Sequence, residues 1–322
     1  MSKPRILVTS NCVACPEALE PLRRIGQVDC KYPVDRATAL DVIDRYDAVM
    51  CDAGIQFDEA VLSRAERLRI IATPSTGTDH LDKKTMAARG IEWIDIAKEY
   101  DLIERFTATA EAAWLLLLAC IRRLPRNFER AKRGCLGPED WESLPKQLCG
   151  KTLGVIGHGR LGRMVTQYGQ AFRMRVLVHD IRTIEEPDVE QVDLDTLLAE
   201  SDVVSLHLHL KDETRRLIDR ERIARMKRGV VLVNTARGDL IDEAAMIEAL
   251  ETGQIGAAGV DVVHDEWDPD RAGHALHEYA RTHDNLIITP HIASACYESC
   301  VEARAFVAEE LAKRLEAMDW SG

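Results

Sequence analysis

Gly157-His158-Gly159-Arg160-Leu161-Gly162 is the stretch that decides how this chain is read. A strand-like apolar run, Thr152–Ile156, leads into it, and helical spacing over Leu161–Gln170 leads out. A second strand-like run, Arg175–His179, then ends at Asp180, 18 residues past Gly162. Each residue type has a reason. The first glycine makes a tight turn, the second lets backbone approach a pyrophosphate, and the third lets helix pack on strand. The helix N-terminus faces the phosphates. Asp180 can accept from both ribose hydroxyls and would repel a 2′-phosphate, so the expected cofactor is NAD in preference to NADP. Arg182 stands close enough to offset part of that repulsion.

Outward from this loop, the chain alternates strand and helix signals in two regions. Downstream, Val203–His207, Val230–Asn234, Ala258–Val262 and Leu286–Thr289 read as strands, with a helix at Glu243–Thr252. Upstream, Ile6–Thr9, Ala48–Cys51, Arg69–Ala72 and Ile91–Ile96 read as strands. Pro16–Ile25, Thr38–Tyr46 and Asp58–Ala65 read as helices between them. A long apolar helix, roughly Thr109–Arg123, separates the regions, and Pro125 is expected to end it. Strands joined by helical crossovers imply an α/β protein with two parallel sheets.

Composition narrows the function classes. A chain of 322 residues suggests about two domains. The net charge of −12 disfavours phosphate backbones as partners, so nucleic acid is not expected. The start of the chain, with only Ile6-Leu7-Val8 as an apolar run, does not resemble a signal peptide. The stretch Ala112–Ile121 is too short to span a bilayer, so no membrane role is expected. Nine cysteines, an odd number without a disulfide framework, suggest reduced thiols and a cytoplasmic location.

Three polar clusters follow strands in the second region: Asn234–Gly238, Gly259–Glu266 and Thr289–Ser294. Ligands of open α/β sheets bind beyond the carboxyl ends of the strands, so Arg237, Glu266 and His291 can meet there. Their chemistry suits oxidation of a hydroxy acid. A hydride leaves carbon only if the hydroxyl proton also leaves, and a histidine can take that proton near neutral pH. A carboxylate beside it sets the tautomer and favours imidazolium. An arginine binds the substrate carboxylate and polarises the carbonyl oxygen.

Together these residues resemble the D-isomer-specific 2-hydroxyacid dehydrogenases, which include D-lactate, glycerate and phosphoglycerate dehydrogenases. The likeness spans nearly the whole chain and is strongest over Leu148–Ser294, with Leu148–Gly157, Asn234–Gly238 and Thr289–Ala293 matching family motifs. Pro74–Asp82 resembles the substrate-carboxylate loop, with Ser75, Thr76 and Gly77 as its contacts. The resemblance implies Arg237 as substrate ligand, His291 as acid/base and Glu266 as its partner. It implies Gly157, Gly159, Arg160, Leu161, Gly162, Asp180, His207, Thr235, Ala236 and Asp261 on the cofactor side, with Asp261 holding the nicotinamide carboxamide. No metal is implied. The implied fold has two Rossmann-like domains, with an NAD-binding domain (103–291) inserted into a discontinuous flavodoxin-like substrate domain (1–102 and 292–322). The implied assembly is a homodimer through the cofactor domain. The implied function is hydride transfer between NAD(H) and a small D-2-hydroxy or 2-keto acid. The alternative is a dinucleotide-sensing, corepressor-like binding module of the same fold. Formate-type relatives place a glutamine beside the histidine, so Glu266 argues against that chemistry.

Some positions depart from the family pattern. His209 and Trp267 stand where prolines are usual, and Cys296 where threonine is common. The segment from Ala97 to Thr109 is longer than usual. It carries Arg105, which is either a contact for a second anionic group on the substrate or the partner of Glu104 or Glu111. Cys12-Val13-Ala14-Cys15 has C-x-x-C spacing without a second pair nearby, and is read as a loop more than a redox or metal site. His207 and His209 share a strand face and suit a cofactor loop better than a metal. Trp114 reads as core or interface.

Overall fold

Ile6 and Val8 point to one face of their strand and Leu7 to the other, and all three are fully buried. That two-sided burial is the mark of a parallel sheet covered on both faces. The computed structural model describes residues 3–141, 144–267 and 273–320. The chain divides into two units, Met1–Phe106 with Ala295–Gly322, and Thr107–Ser294.

The first unit holds β1 (Arg5–Val8), β2 (Gln27–Cys30), β3 (Ala48–Met50), β4 (Ile70–Ala72) and β5 (Glu92–Ile94). They pair in the order β2-β1-β3-β4-β5, all parallel. This flavodoxin-like order places a topological switch between β1 and β3. One face is covered by the C-terminal helix Tyr297–Ala317 through Val307, Leu311 and Leu315. The other packs Leu7 and Val49 against Ile43, Phe57 and Leu62. Each fully buried residue of this size contributes roughly 1.5–3 kcal/mol.

The second unit holds β6 (Thr152–Ile156), β7 (Arg175–His179), β8 (Glu190–Gln191), β9 (Val203–Leu206), β10 (Val230–Asn234), β11 (Ile255–Val260) and β12 (Leu286–Ile288). Their order, β12-β11-β10-β9-β6-β7-β8, is that of a dinucleotide-binding sheet, with the switch between β6 and β9. Helices Ala108–Ile121 and Arg160–Ala171 lie on the face of Leu153, Val155 and Val233. Helix Glu243–Thr252 and its neighbours cover Leu232, Val204 and Ala258.

Several helix starts are written in aspartates. The side chains of Asp35, Asp58, Asp193, Asp219 and Asp242 each accept the backbone N–H three residues on. Such a cap contributes about 1 kcal/mol.

The structure corrects some local expectations. Pro125 does not end the long helix. That helix stops at Ile121, Arg123 turns left-handed at φ 48°, and Pro125 sits in the first turn of a new helix, Leu124–Lys132. Proline is well tolerated there because its missing N–H would be unpaired anyway. Pro16–Ile25 is a 3-10 turn followed by a short α-helix. The edge strands β2 and β8 carry little buried apolar surface and left no pattern to read. Among the described residues, no helix is long and apolar enough to cross a membrane.

Candidate active site

The glycine loop joins β6 to the helix Arg160–Ala171. Gly157 has φ 93°, and a Cβ there would stand 2.5 Å from the carbonyl oxygen of His207. A Cβ at Gly162 would meet the Gly157 carbonyl oxygen at 2.0 Å. Both positions therefore require glycine. Gly159 differs, because nothing lies within 4 Å of its Cβ position. That open space lies at the uncapped helix N-terminus, where backbone N–H groups favour an anion. Arg160 and Leu161 begin the helix.

Asp180 follows β7. It accepts from the His158 backbone N–H at 2.8 Å and from the Arg182 backbone N–H at 2.9 Å. The Arg182 guanidinium also folds back onto it, with Nε at 3.1 Å. Burial alone would raise this carboxyl, but the Arg182 charge and the two N–H groups outweigh it and hold it down at about 2. Thr235 Oγ1, after β10, is buried with no hydrogen-bond partner among the described residues. An orphaned hydroxyl, an open glycine cradle and an ionised ribose-type aspartate, each after a strand of the same sheet, fit a bound dinucleotide. Ala236 donates its backbone N–H to Asn234. His207 bonds Ser205 at 2.9 Å, and burial pushes its imidazole down to about 4, so the ring is neutral.

The catalytic candidates lie on three neighbouring strand ends. Arg237 ends the turn after β10, where Asn234 Nδ2 donates to its carbonyl at 2.7 Å, and its Nη1 donates to the Ala236 carbonyl. Glu266 follows β11 and His291 follows β12. His291 Nδ1 stands 2.9 Å from both Glu266 oxygens. The histidine side chain is about one-third exposed (35%) and the glutamate more buried (16%), so one edge of the ring remains accessible. The Trp267 ring lies at a tilt beside His291, centroids 6.2 Å apart, so the residue in the usual proline position is a neighbour of the imidazole.

Two contributors to this geometry were not singled out from sequence. Asn234 holds the arginine turn, and Thr289 donates its hydroxyl to Asp261. Asp261 itself, expected to face the cofactor, accepts from Thr289, from Ile292 N at 3.0 Å and from Ala293 N at 2.8 Å. Its carboxylate therefore also braces the His291 segment, with Oδ2 accepting only the Ala293 N–H among these bonds. Short side chains next to strand ends gave a signal for such turns; Asn234 acts within its own turn, while Thr289 reaches a partner 28 residues away.

In the first unit, Ser75, Thr76 and Gly77 form the loop after β4, and the Ser75 carbonyl accepts from Ile96 N. Arg105 pairs with Glu302 at 2.8 Å, not with Glu104 or Glu111 as expected. Cys12 and Cys15 are buried free thiols, and burial pushes Cys12 up to about 12, which makes it a poor nucleophile. Among the described residues no group of side chains could hold a metal ion.

Comparison with known proteins agrees across both units. Residues 114–293 match the NAD binding domain of the D-isomer specific 2-hydroxyacid dehydrogenases, and residues 6–117 match their catalytic domain. The chain is 36% identical to a glyoxylate reductase of Aeropyrum pernix, over 97% of this chain and 92% of that one. It is 35% identical to a hydroxypyruvate reductase of Thermotoga maritima, over 88% of each. It also resembles a D-3-phosphoglycerate dehydrogenase of Archaeoglobus fulgidus at 33%, over 92% of this chain but only 54% of that longer protein. Among solved structures, D-lactate dehydrogenase of Aquifex aeolicus complexed with NAD and lactic acid superposes with a TM-score of 0.83, at 32% identity, covering 97% of this chain and 94% of that one. The chain belongs to the NAD-dependent D-isomer specific 2-hydroxyacid dehydrogenase family.

Proposed function

We propose that this protein interconverts a small 2-keto acid and its D-2-hydroxy acid, with His291 as the acid/base. The observation that carries the reading is the His291–Glu266 pair. Glu266 accepts a hydrogen bond from Nδ1–H, which leaves Nε2 as the atom that exchanges a proton with the substrate oxygen. NAD supplies the hydride acceptor, and NADH the donor. As the alcohol loses hydride, its hydroxyl proton passes to Nε2, and the half-buried Glu266 carboxylate stabilises the imidazolium that forms. In reduction the same proton returns to the carbonyl oxygen. Arg237 binds the substrate carboxylate and polarises that oxygen. Ser75, Thr76 and Gly77, in the first unit, are proposed as substrate contacts on the family resemblance alone.

The relatives are named for glyoxylate, hydroxypyruvate, phosphoglycerate and lactate, so the substrate is drawn from acids of this size. We place the protein in the cytoplasm, where its free thiols stay reduced. We further propose a homodimer through the NAD-binding unit. The reading rests on the family resemblance; Phe128, Leu136 and Trp141, all in that unit, are 61%, 94% and 87% exposed and would be candidate contacts. The deciding experiment measures NADH consumption across glyoxylate, hydroxypyruvate, pyruvate, oxaloacetate and 2-oxoglutarate. Stoichiometric NADH binding with no turnover on any of them would replace the enzyme reading with that of a dinucleotide-binding module.

A further inference from the structure

Glu243 opens the helix Glu243–Thr252, one residue past its Asp242 cap. A carboxylate in a first turn is comfortable facing water, where the helix dipole already favours it. This one turns inward instead. Oε1 accepts the backbone N–H of His264 at 2.7 Å, and Oε2 stands 3.2 Å from His274 Nε2. The Leu276 backbone N–H donates to His274 Nδ1 at 3.3 Å, so the ring proton belongs on Nε2, pointed at Glu243. The arrangement is costly. Burial pushes Glu243 up to about 7, and burial together with His277 and His264 pushes His274 down.

What Glu243 grips is the segment that delivers Glu266. His264 lies two residues before Glu266, and Asp265 between them is left-handed at φ 50°. A non-glycine residue holds that conformation only where its surroundings over-determine it. Here they do. His264 Nδ1 is 2.9 Å from Asp239 and its Nε2 is 3.2 Å from Asp265. Arg215 pairs in turn with Asp239. The turn after Arg237 closes in from the other side, because a Cβ at Gly238 would stand 2.1 Å from the Val263 carbonyl carbon. The charged and titratable groups facing this brace are therefore Asp239, His264, Asp265, His274, His277 and, through Asp239, Arg215.

We propose that Glu243, held by His274, is a positioning residue that fixes the Val263–Asp265 segment so that both oxygens of Glu266 stay on His291 Nδ1. The inference deepens the proposed function and rests on it. Neither Glu243 nor His274 touches the reacting atoms. They act through the register of one loop. Losing the brace lets Glu266 drift from the imidazole, which weakens proton transfer without removing the groups that bind substrate or cofactor.

The test compares Glu243→Gln, His274→Asn and Glu266→Gln with wild type in the full chain, reducing glyoxylate and hydroxypyruvate across a range of pH. Asparagine keeps the helix cap at position 274 but is too short to reach Glu243. Glutamine keeps the volume of Glu243 without its charge. In both brace variants kcat should fall severalfold, with the keto-acid KM and the NADH Kd within about twofold of wild type. The alkaline fall of reduction should move to lower pH, in the direction of Glu266→Gln but by less. If Glu266→Gln moves the profile while both brace variants keep the wild-type kcat and profile, the brace is overturned, whatever their loss of Tm. If Glu266→Gln itself leaves the profile in place, the pairing on which the brace depends is wrong, and the brace falls with it. Should Glu243→Gln fail to fold, His274→Asn carries the comparison.

Discussion

His291 donates from Nδ1 to both oxygens of Glu266 at 2.9 Å, although the two residues are 25 apart in sequence and His291 is itself left-handed at φ 52°. A residue with a Cβ gives up about 1–2 kcal/mol in that conformation. Asp261 offsets the cost. It is fully buried, and its carboxylate gathers Thr289 Oγ1, Ile292 N and Ala293 N, while its carbonyl accepts His291 N. The imidazole is thus aimed by a neighbouring strand end, and its proton chemistry follows from where it is aimed.

Replacing His291 with Ala should lower kcat by about 10²–10⁴-fold, the usual contribution of a general acid–base group. NADH affinity should change little, because the glycine loop and Asp180 lie on other strands of the sheet. Stopped-flow reduction with titration of NADH fluorescence separates the two. A near-wild-type rate in this variant would remove His291 from the chemistry.

Cofactor choice should turn on Asp180 and Arg182 together. Asp180→Ala should weaken NADH and narrow the gap to NADPH. Arg182→Ala frees the Asp180 carboxylate from its guanidinium partner, so it should keep NADH binding and reduce whatever NADPH binding exists. Dissociation constants for both cofactors decide the matter. A wild type that already prefers NADPH would mean that Arg182 governs the pocket.

Glu243 should leave a mark on stability as a function of pH. Its carboxyl is pushed by burial from 4.5 up to about 7 in the folded chain. The folded state therefore holds this proton more tightly than the unfolded state. The group's contribution is complete below about pH 4.5 and is lost as pH rises toward 7, by up to roughly 3 kcal/mol. Urea unfolding at acid and neutral pH should show a steeper decline for wild type than for Glu243→Gln. Parallel declines would show that the carboxyl is not perturbed by its burial.

Exposed Phe128 and Trp141 offer a test of the proposed dimer. Phe128→Asp or Trp141→Asp should shift the protein from dimer to monomer in light scattering, since burying a charge in such a contact is unfavourable. Single-subunit mass for the wild type would overturn the dimer.

Much of this protein was legible in the chain. The glycine spacing, Asp180 and the strands around them required a dinucleotide sheet, because a G-x-G-x-x-G loop works only between a strand and a helix. Arg237, Glu266 and His291 stood out because each follows a buried strand. Local chemistry sufficed wherever the cause was local, as with the aspartate caps. It failed where the cause lay in a backbone conformation or in a distant partner. Nothing near Pro125 says whether it closes one helix or opens the next. That depended on Arg123 turning left-handed after Ile121. The partner of Arg105 is Glu302, nearly two hundred residues away on the last helix. That Asp261 also braces the His291 segment follows only from the packing of β11 beside β12. Glu243 looks like an ordinary first-turn acid, and only the return of the chain at His264 and His274 buries it. Sequence determined which elements form and which side chains carry the chemistry, since periodicity and turn residues act over a few positions. Tertiary structure decided how those side chains are aimed and charged, since desolvation and long-range hydrogen bonds depend on what the fold brings beside them.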